Sequence, residues 1–146
     1  MRIALITPFP PYRGGISSHS KNLYDSLSLK NEVIVYNFIR QYPDFLFPGK
    51  TQYDHDYVED KNSNIIRMLD SINPFTWRKV SNSIIQKKID KVIFRFWNPF
   101  FIVCYISIIK RLKRYNKDIQ IYSICDNIIP HEKFIFQKTF IRNFLK

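Results

Sequence analysis

The sequence predicts an α/β fold: a parallel sheet with helices on both faces. Three observations carry this. Apolar runs of strand length alternate with amphipathic stretches of helix length, the pattern of successive βαβ units. Two of the helical stretches open with the same Asn-Pro pair, a helix-start signal. The first apolar run stops at a proline- and glycine-rich turn that leads directly into a helix.

Each element has its own reason. RIALIT (2–7) is mostly apolar and ends at Pro8, which suits a buried strand. Residues 8–15 form a Pro/Gly loop, and a helix fits from Ile16 to about Ser28, with Ile16, Leu23 and Leu27 on one face. EVIVYNF (32–38) reads as a second buried strand. Residues 40–63 contain Pro43, Pro48 and Gly49 and become highly charged towards their end, so they read as a long loop; loops of that length tend to be functional or mobile. NIIRMLD is a short strand candidate. A helix then begins with Asn73 as its cap and Pro74 at its first position. KVIFRFW (91–97) is the next strand, followed by a helix with Asn98 as cap and Pro99 behind it. Its apolar stripe is Phe101, Cys104, Tyr105, Ile108 and Leu112, and Lys110, Arg111, Lys113 and Arg114 crowd its last turn, where cations suit the helix dipole. IQIYSIC (119–125) is the last strand. A final helix is expected from about Lys133, and it is still in register at Lys146, which reads as a chain cut short.

At 146 residues the chain is long enough for one domain that buries roughly two thirds of its unfolded surface. Its net charge of +11 is unevenly placed: residues 1–73 are neutral overall, and residues 74–146 carry the whole excess. Such a one-sided basic surface suits anionic partners. The aromatic residues in the basic stretches follow buried helix and strand periods rather than interleaving with arginine on an exposed face. This argues against nucleic acid and for an anionic membrane surface, with solvated helix faces as the plainer alternative. Cys104 and Cys125 lack CxxC spacing, so a disulfide framework is not expected and a reducing cytoplasm is. The opening apolar run is too short for a secretory leader, and no apolar run reaches the roughly 20 residues that span a bilayer.

In open α/β sheets, ligands sit beyond the carboxyl ends of the strands. Two loops qualify, 8–15 and 126–132. Gly14 and Gly15 allow a positive φ and a close ligand approach, and the helix from Ile16 directs free N–H groups at the same space. Ser17 and Ser18 are spare donors. The alternative is a tight strand-to-helix turn. No GxGxxG and no P-loop lysine is present. In the second loop His131 is the candidate for moving protons or orienting hydroxyls, with Asp126, Asn127 and Glu132 in support. His19, His55 and His131 share no ligand spacing, so neither a metal nor another cofactor is expected.

Taken in order, the segments PPYRGGISSHSKNLYDSL, RQYPDFLFPGKTQYD, INPFTW, VIFRFWNPFF and SICDNIIPHEKF resemble a bacterial branch of the family-four glycosyltransferases. The resemblance implies a GT-B fold of two Rossmann-like domains, of which this chain would be the N-terminal, acceptor-side half, with the donor-binding half absent and its own end incomplete. It implies a retaining transfer of sugar from a nucleotide-diphosphate sugar to a glycan or lipid-linked acceptor, as in envelope or capsule polysaccharide synthesis. By position, Gly14, Gly15 and Ile16 would face the donor diphosphate and His131 would lie near the reacting sugar. The DNIIPHE spacing is longer than the His loops of better-known members. Family members generally need no catalytic metal. Acceptors at the inner membrane face would agree with the basic half, and the Tyr/Phe-rich loop 40–57 would lie over the acceptor, unless it is an ordinary surface loop held by buried phenylalanines. The rival reading is a non-catalytic module that binds acceptor or membrane and works with a separately encoded donor half, or a truncated inactive product.

Overall fold

The structure is a computed structural model, and it describes residues 1–43, 53 and 62–126. Five strands form one all-parallel sheet: β1 (Arg2–Ile6), β2 (Glu32–Arg40), β3 (Ile65–Asp70), β4 (Lys91–Phe96) and β5 (Gln120–Cys125). The spatial order is β3-β2-β1-β4-β5, so the chain winds outward from β1 in one direction and then returns to wind outward in the other. This is the Rossmann-like α/β architecture that the alternating pattern predicts. The switch point lies between β1 and β4, where the crevice of such sheets opens at the carboxyl edge.

Because strand side chains alternate faces, two cores result. Ile3, Leu5, Val33 and Val35 face α1 (Gly15–Ser28) and pack with Phe9, Leu23, Tyr24 and Leu27. Ala4, Ile6, Ile34, Tyr36, Val92, Phe94 and Phe96 face α2 (Pro74–Gln86) and α3 (Ile102–Tyr115). The second core is the larger, and the expected stripe of Phe101, Cys104, Tyr105, Ile108 and Leu112 is entirely buried in it. Burial pushes the Cys104 thiol and the Tyr105 and Tyr36 phenols up from their ordinary pKa values.

Both Asn-Pro entries fold as expected. Asn73 Oδ1 accepts from the Phe75 N–H at 3.0 Å, and Asn98 Oδ1 accepts from the Phe100 N–H at 2.9 Å. Behind Asn98 the backbone first makes a 3-10 turn over Pro99–Phe101 before α3 begins. The strand expected to close at Phe38 continues to Arg40, where the Arg40 guanidinium pairs with the Asp70 carboxylate at the end of β3, 2.6 Å away. The α1 face differs from its apolar reading. Ile16 is only half-buried, outside the cluster that holds Leu23 and Leu27, and the fully buried positions of α1 are Ser17 and Ser20. Small side chains there let the helix approach the sheet, and Ser20 Oγ lies 2.6 Å from Thr7 Oγ1 at the end of β1. The helix expected from Lys133 lies outside the described residues.

Candidate functional site at the carboxyl edge

The site is built from three segments at the switch point: the turn after β1, the first turns of α1, and the ends of β4 and β5. The turn after β1 is held from below by Asn37, fully buried in β2. Its Oδ1 accepts from the Phe9 and Phe38 N–H groups at 3.0 and 2.7 Å, while its Nδ2 donates to the Phe9 and Pro10 carbonyls at 2.9 and 3.2 Å. One amide side chain thus satisfies both loop and strand, which is why a polar residue is stable inside this apolar run. The Pro10–Pro11 peptide within the turn is cis.

The turn ends at Gly14, with φ 110° and ψ 167°, a conformation essentially reserved for glycine. Gly15 begins the helix. A Cβ built on either residue would meet nothing within 4 Å. Crowding therefore explains neither glycine: backbone conformation demands the first, and the second opens on free space. Among the described residues no side chain caps α1, which leaves the N–H groups of its first turn as orphan donors. Ser18 Oγ turns back to the Gly14 carbonyl at 3.4 Å and is not spare. Ser17 Oγ is fully buried and has no hydrogen-bond partner among the described residues.

One helical turn beyond Gly15 stands His19. Its Nδ1 is 2.6 Å from a terminal guanidinium nitrogen of Arg95, near the end of β4. Guanidinium nitrogens only donate, so Nδ1 accepts, and the ring proton sits on Nε2. Arg95 is only 5% exposed, and its Nε and other terminal nitrogen grip both carboxylate oxygens of Asp126, just past β5, in a bidentate pair. The Arg95 carbonyl accepts from the Tyr105 hydroxyl at 3.0 Å. A chain of polar contacts thus links α3, β4, β5 and α1 at one edge of the sheet.

A second wall stands over β2 and β3. Tyr12 and Tyr53 lie with ring centroids 4.9 Å apart, and the Arg67 guanidinium lies 5.9 and 5.6 Å from the two ring centroids. Burial and the Tyr53 hydrogen bond push the Tyr12 phenol well up from its ordinary range, against the opposing pull of Arg67. Tyr42 packs on Phe100 and Phe101 and accepts from Trp97 Nε1 at 3.0 Å. Tyr42 and Tyr53 both belong to the loop expected to cover a ligand; the rest of its aromatic stretch, beyond Pro43, lies outside the described residues.

Gly14, Gly15, Ile16 and Ser17 thus stand together at the head of α1, as the sequence leads one to expect. Asp126 reaches the same edge as the counter-ion of a buried arginine rather than as a free carboxylate. Asn127, His131 and Glu132 lie outside the described residues. Sequence reasoning missed Arg95 and assigned nothing to His19. A signal for Arg95 was present: an arginine inside the apolar run VIFRFW must have a buried partner. His19 has no comparable local signal, because its partner is 76 residues away.

The chain matches no family model and no curated protein. Among the described residues no helix is long and apolar enough to cross a membrane.

Proposed function

We propose that this chain is the acceptor-side domain of a retaining glycosyltransferase with the GT-B fold, resembling family four, and that it acts with a donor-binding domain across a cleft. The observation that carries the reading is the head of α1. Among the described residues it combines a glycine turn with open space around it, a helix start without a cap and a buried unpartnered hydroxyl at Ser17, all at the switch point of a parallel sheet. These groups suit a diphosphate presented from across the cleft.

In this reading the orphan N–H groups of Gly15 and Ile16 stabilise negative charge on the departing nucleoside diphosphate. Such stabilisation matters most as the glycosidic bond to the donor breaks. His19 donates from Nε2, because Arg95 occupies Nδ1, and so acts as a hydrogen-bond donor to a phosphate or sugar oxygen rather than as a base. Arg95 and Asp126 hold that imidazole in place. His131 is the candidate for positioning the sugar and acceptor, with Asn127 and Glu132 as supporting candidates. Tyr53, exposed above the buried Tyr12, offers flat apolar ring surface to a sugar. The acceptor is a glycan or lipid-linked saccharide of an envelope or capsule polysaccharide, met at the inner membrane face.

The test pairs the protein with the donor-binding domain encoded with it. Labelled nucleotide sugars and a lipid extract supply donor and acceptor. The expected result is transfer with retained anomeric configuration, reduced about 100-fold by Gly15→Val, which blocks the open face of the turn. Absence of transfer from every nucleotide sugar, or transfer indifferent to Gly15→Val, would overturn the assignment.

A further inference from the structure

We propose that the groove between α2 and α3, on the sheet face away from α1, docks flat on an anionic phospholipid membrane. The proposal deepens the acceptor-side reading, and rests on it only for what the membrane brings. The groove has a volume of about 530 Å³ and is lined by cations, apolar side chains and two serines, with no carboxylate among the described residues. Neither helix contains an Asp or Glu, while Arg78, Lys79, Lys110, Arg111, Lys113 and Arg114 are all on them.

These six cations are not equally free. Arg111 Nε donates to Asn82 Oδ1 at 3.2 Å, and Lys113 Nζ donates to the Lys117 and Ile119 carbonyls at 2.9 and 2.7 Å. Arg78, Lys110 and Arg114 have no ion-pair partner among the described residues. On α3 the exposed positions Val103, Ser107, Lys110 and Arg114 follow one another along a single stripe, at the spacing of successive helical turns. On α2 the matching stripe is Phe75 and Arg78. Phe75 is 78% exposed and Val103 60%, large apolar side chains standing in water beside unpaired cations.

This pairing of features decides the partner. A polyanion such as RNA would use the cations but leave Phe75 and Val103 without a partner. A bilayer interface uses both: apolar side chains enter the acyl boundary while Arg and Lys meet phosphate at headgroup level. Both helices begin at the carboxyl edge of the sheet, where the candidate site opens, so a docked domain would hold that site close to lipid-borne acceptors.

The test is flotation with vesicles of phosphatidylcholine, alone or containing phosphatidylglycerol, and needs no activity. Binding is expected only with phosphatidylglycerol present and should weaken with salt. The combined variant Arg78→Gln, Lys110→Gln, Arg114→Gln is expected to lower the partition coefficient about 100-fold, and Phe75→Ser about tenfold. A control variant removes the same charge at the amino edge of the sheet: Lys30→Gln, Lys87→Gln, Lys117→Gln. It is expected to retain most of the binding. Equal loss in control and groove variants would show that net charge alone acts, and would overturn the proposal. So would equal binding to neutral vesicles, or binding of an RNA oligonucleotide, lost in the groove variant, by a protein that ignores vesicles. Vesicle binding without sugar transfer would leave the docking surface standing and sink the enzymatic reading; transfer without vesicle binding would do the reverse.

Discussion

Among the described residues, three helical segments start at the carboxyl edge of this sheet, and they start in two ways. The entries after β3 and β4 are closed: Asn73 and Asn98 each cap a first-turn N–H, and a proline follows each. The α2 entry is tied down further, since Thr76 Oγ1 accepts from the Asp70 N–H at 3.1 Å and Trp77 Nε1 donates to the Asp70 carbonyl at 2.7 Å. The entry after β1 is open: Gly14 offers no capping side chain, and Ser17 Oγ is buried without a partner among the described residues. The surroundings differ in the same sense. The closed entries roof the larger apolar core, with Asp70 at its rim already paired to Arg40, whereas the open one stands beside Arg95, Asp126 and His19. A helix end that only has to be stable is capped by its own chain. A helix end left open gives up roughly 1 kcal/mol of capping, and that sacrifice suits donors reserved for a ligand.

The largest expected effect tests the uncharged side. Cys104, Tyr36 and Tyr105 have raised pKa values in the fold, so the unfolded chain loses their protons first as pH rises. Their contribution is complete below the ordinary values of 9.0 for the thiol and 10.0 for the phenols and is lost above them. Stability should fall by about 1.4 kcal/mol per pH unit for each such group. Urea unfolding followed from pH 8 upward should show the decline beginning near pH 9, and Cys104→Ala should delay it by about one pH unit. A flat profile to pH 11 would contradict the burial of these groups.

Next in size is the charged side. Asp126→Asn leaves a buried guanidinium without its counter-ion and should cost about 3 kcal/mol, whereas Arg95→Met leaves only a carboxylate that can turn to water and should cost less. Chemical denaturation of the two variants gives the order directly; the opposite order would mean that Arg95 is solvated. Smaller again is the contrast between the entries themselves. Gly14→Ala forces a side chain into a glycine-only conformation, at about 2 kcal/mol, while Asn73→Ala removes a cap worth about 1 kcal/mol. The smallest effect is the most discriminating. Gly15→Ala meets no neighbour, and helix propensity should leave stability unchanged or higher by up to about 0.5 kcal/mol. On the proposed function, calorimetric titration of this variant with a nucleoside diphosphate should nonetheless show weaker binding. Unaltered affinity would make the open entry a mere turn.

Much of this was legible in the sequence because it is local. Asn73-Pro74 and Asn98-Pro99 announce their helices within two residues, and the stripe from Phe101 to Leu112 announces its buried face by spacing alone. The glycine turn was equally plain. Asn37 and Arg95 were harder: each is a polar residue in an apolar strand, which tells that a partner exists but not which. On α1, Leu23 and Leu27 pack on the sheet as expected, but Ser17 and Ser20 rather than Ile16 take the fully buried positions, because close helix-to-sheet approach favours small side chains over large ones. His19 was illegible, since nothing near it in the chain distinguishes it from an exposed histidine.

Hydrophobic period, capping residues and backbone freedom act over a few neighbouring residues, so the sequence by itself determined the strands, the helices, the parallel α/β class and the special turn at Gly14. The strand order β3-β2-β1-β4-β5, the meeting of His19, Arg95 and Asp126, and the lack of an ion-pair partner among the described residues for Arg78, Lys110 and Arg114 were decided by tertiary structure alone. Hydrogen bonds and ion pairs act over a few ångströms of space, and only the folded chain brings residues dozens of positions apart within that reach.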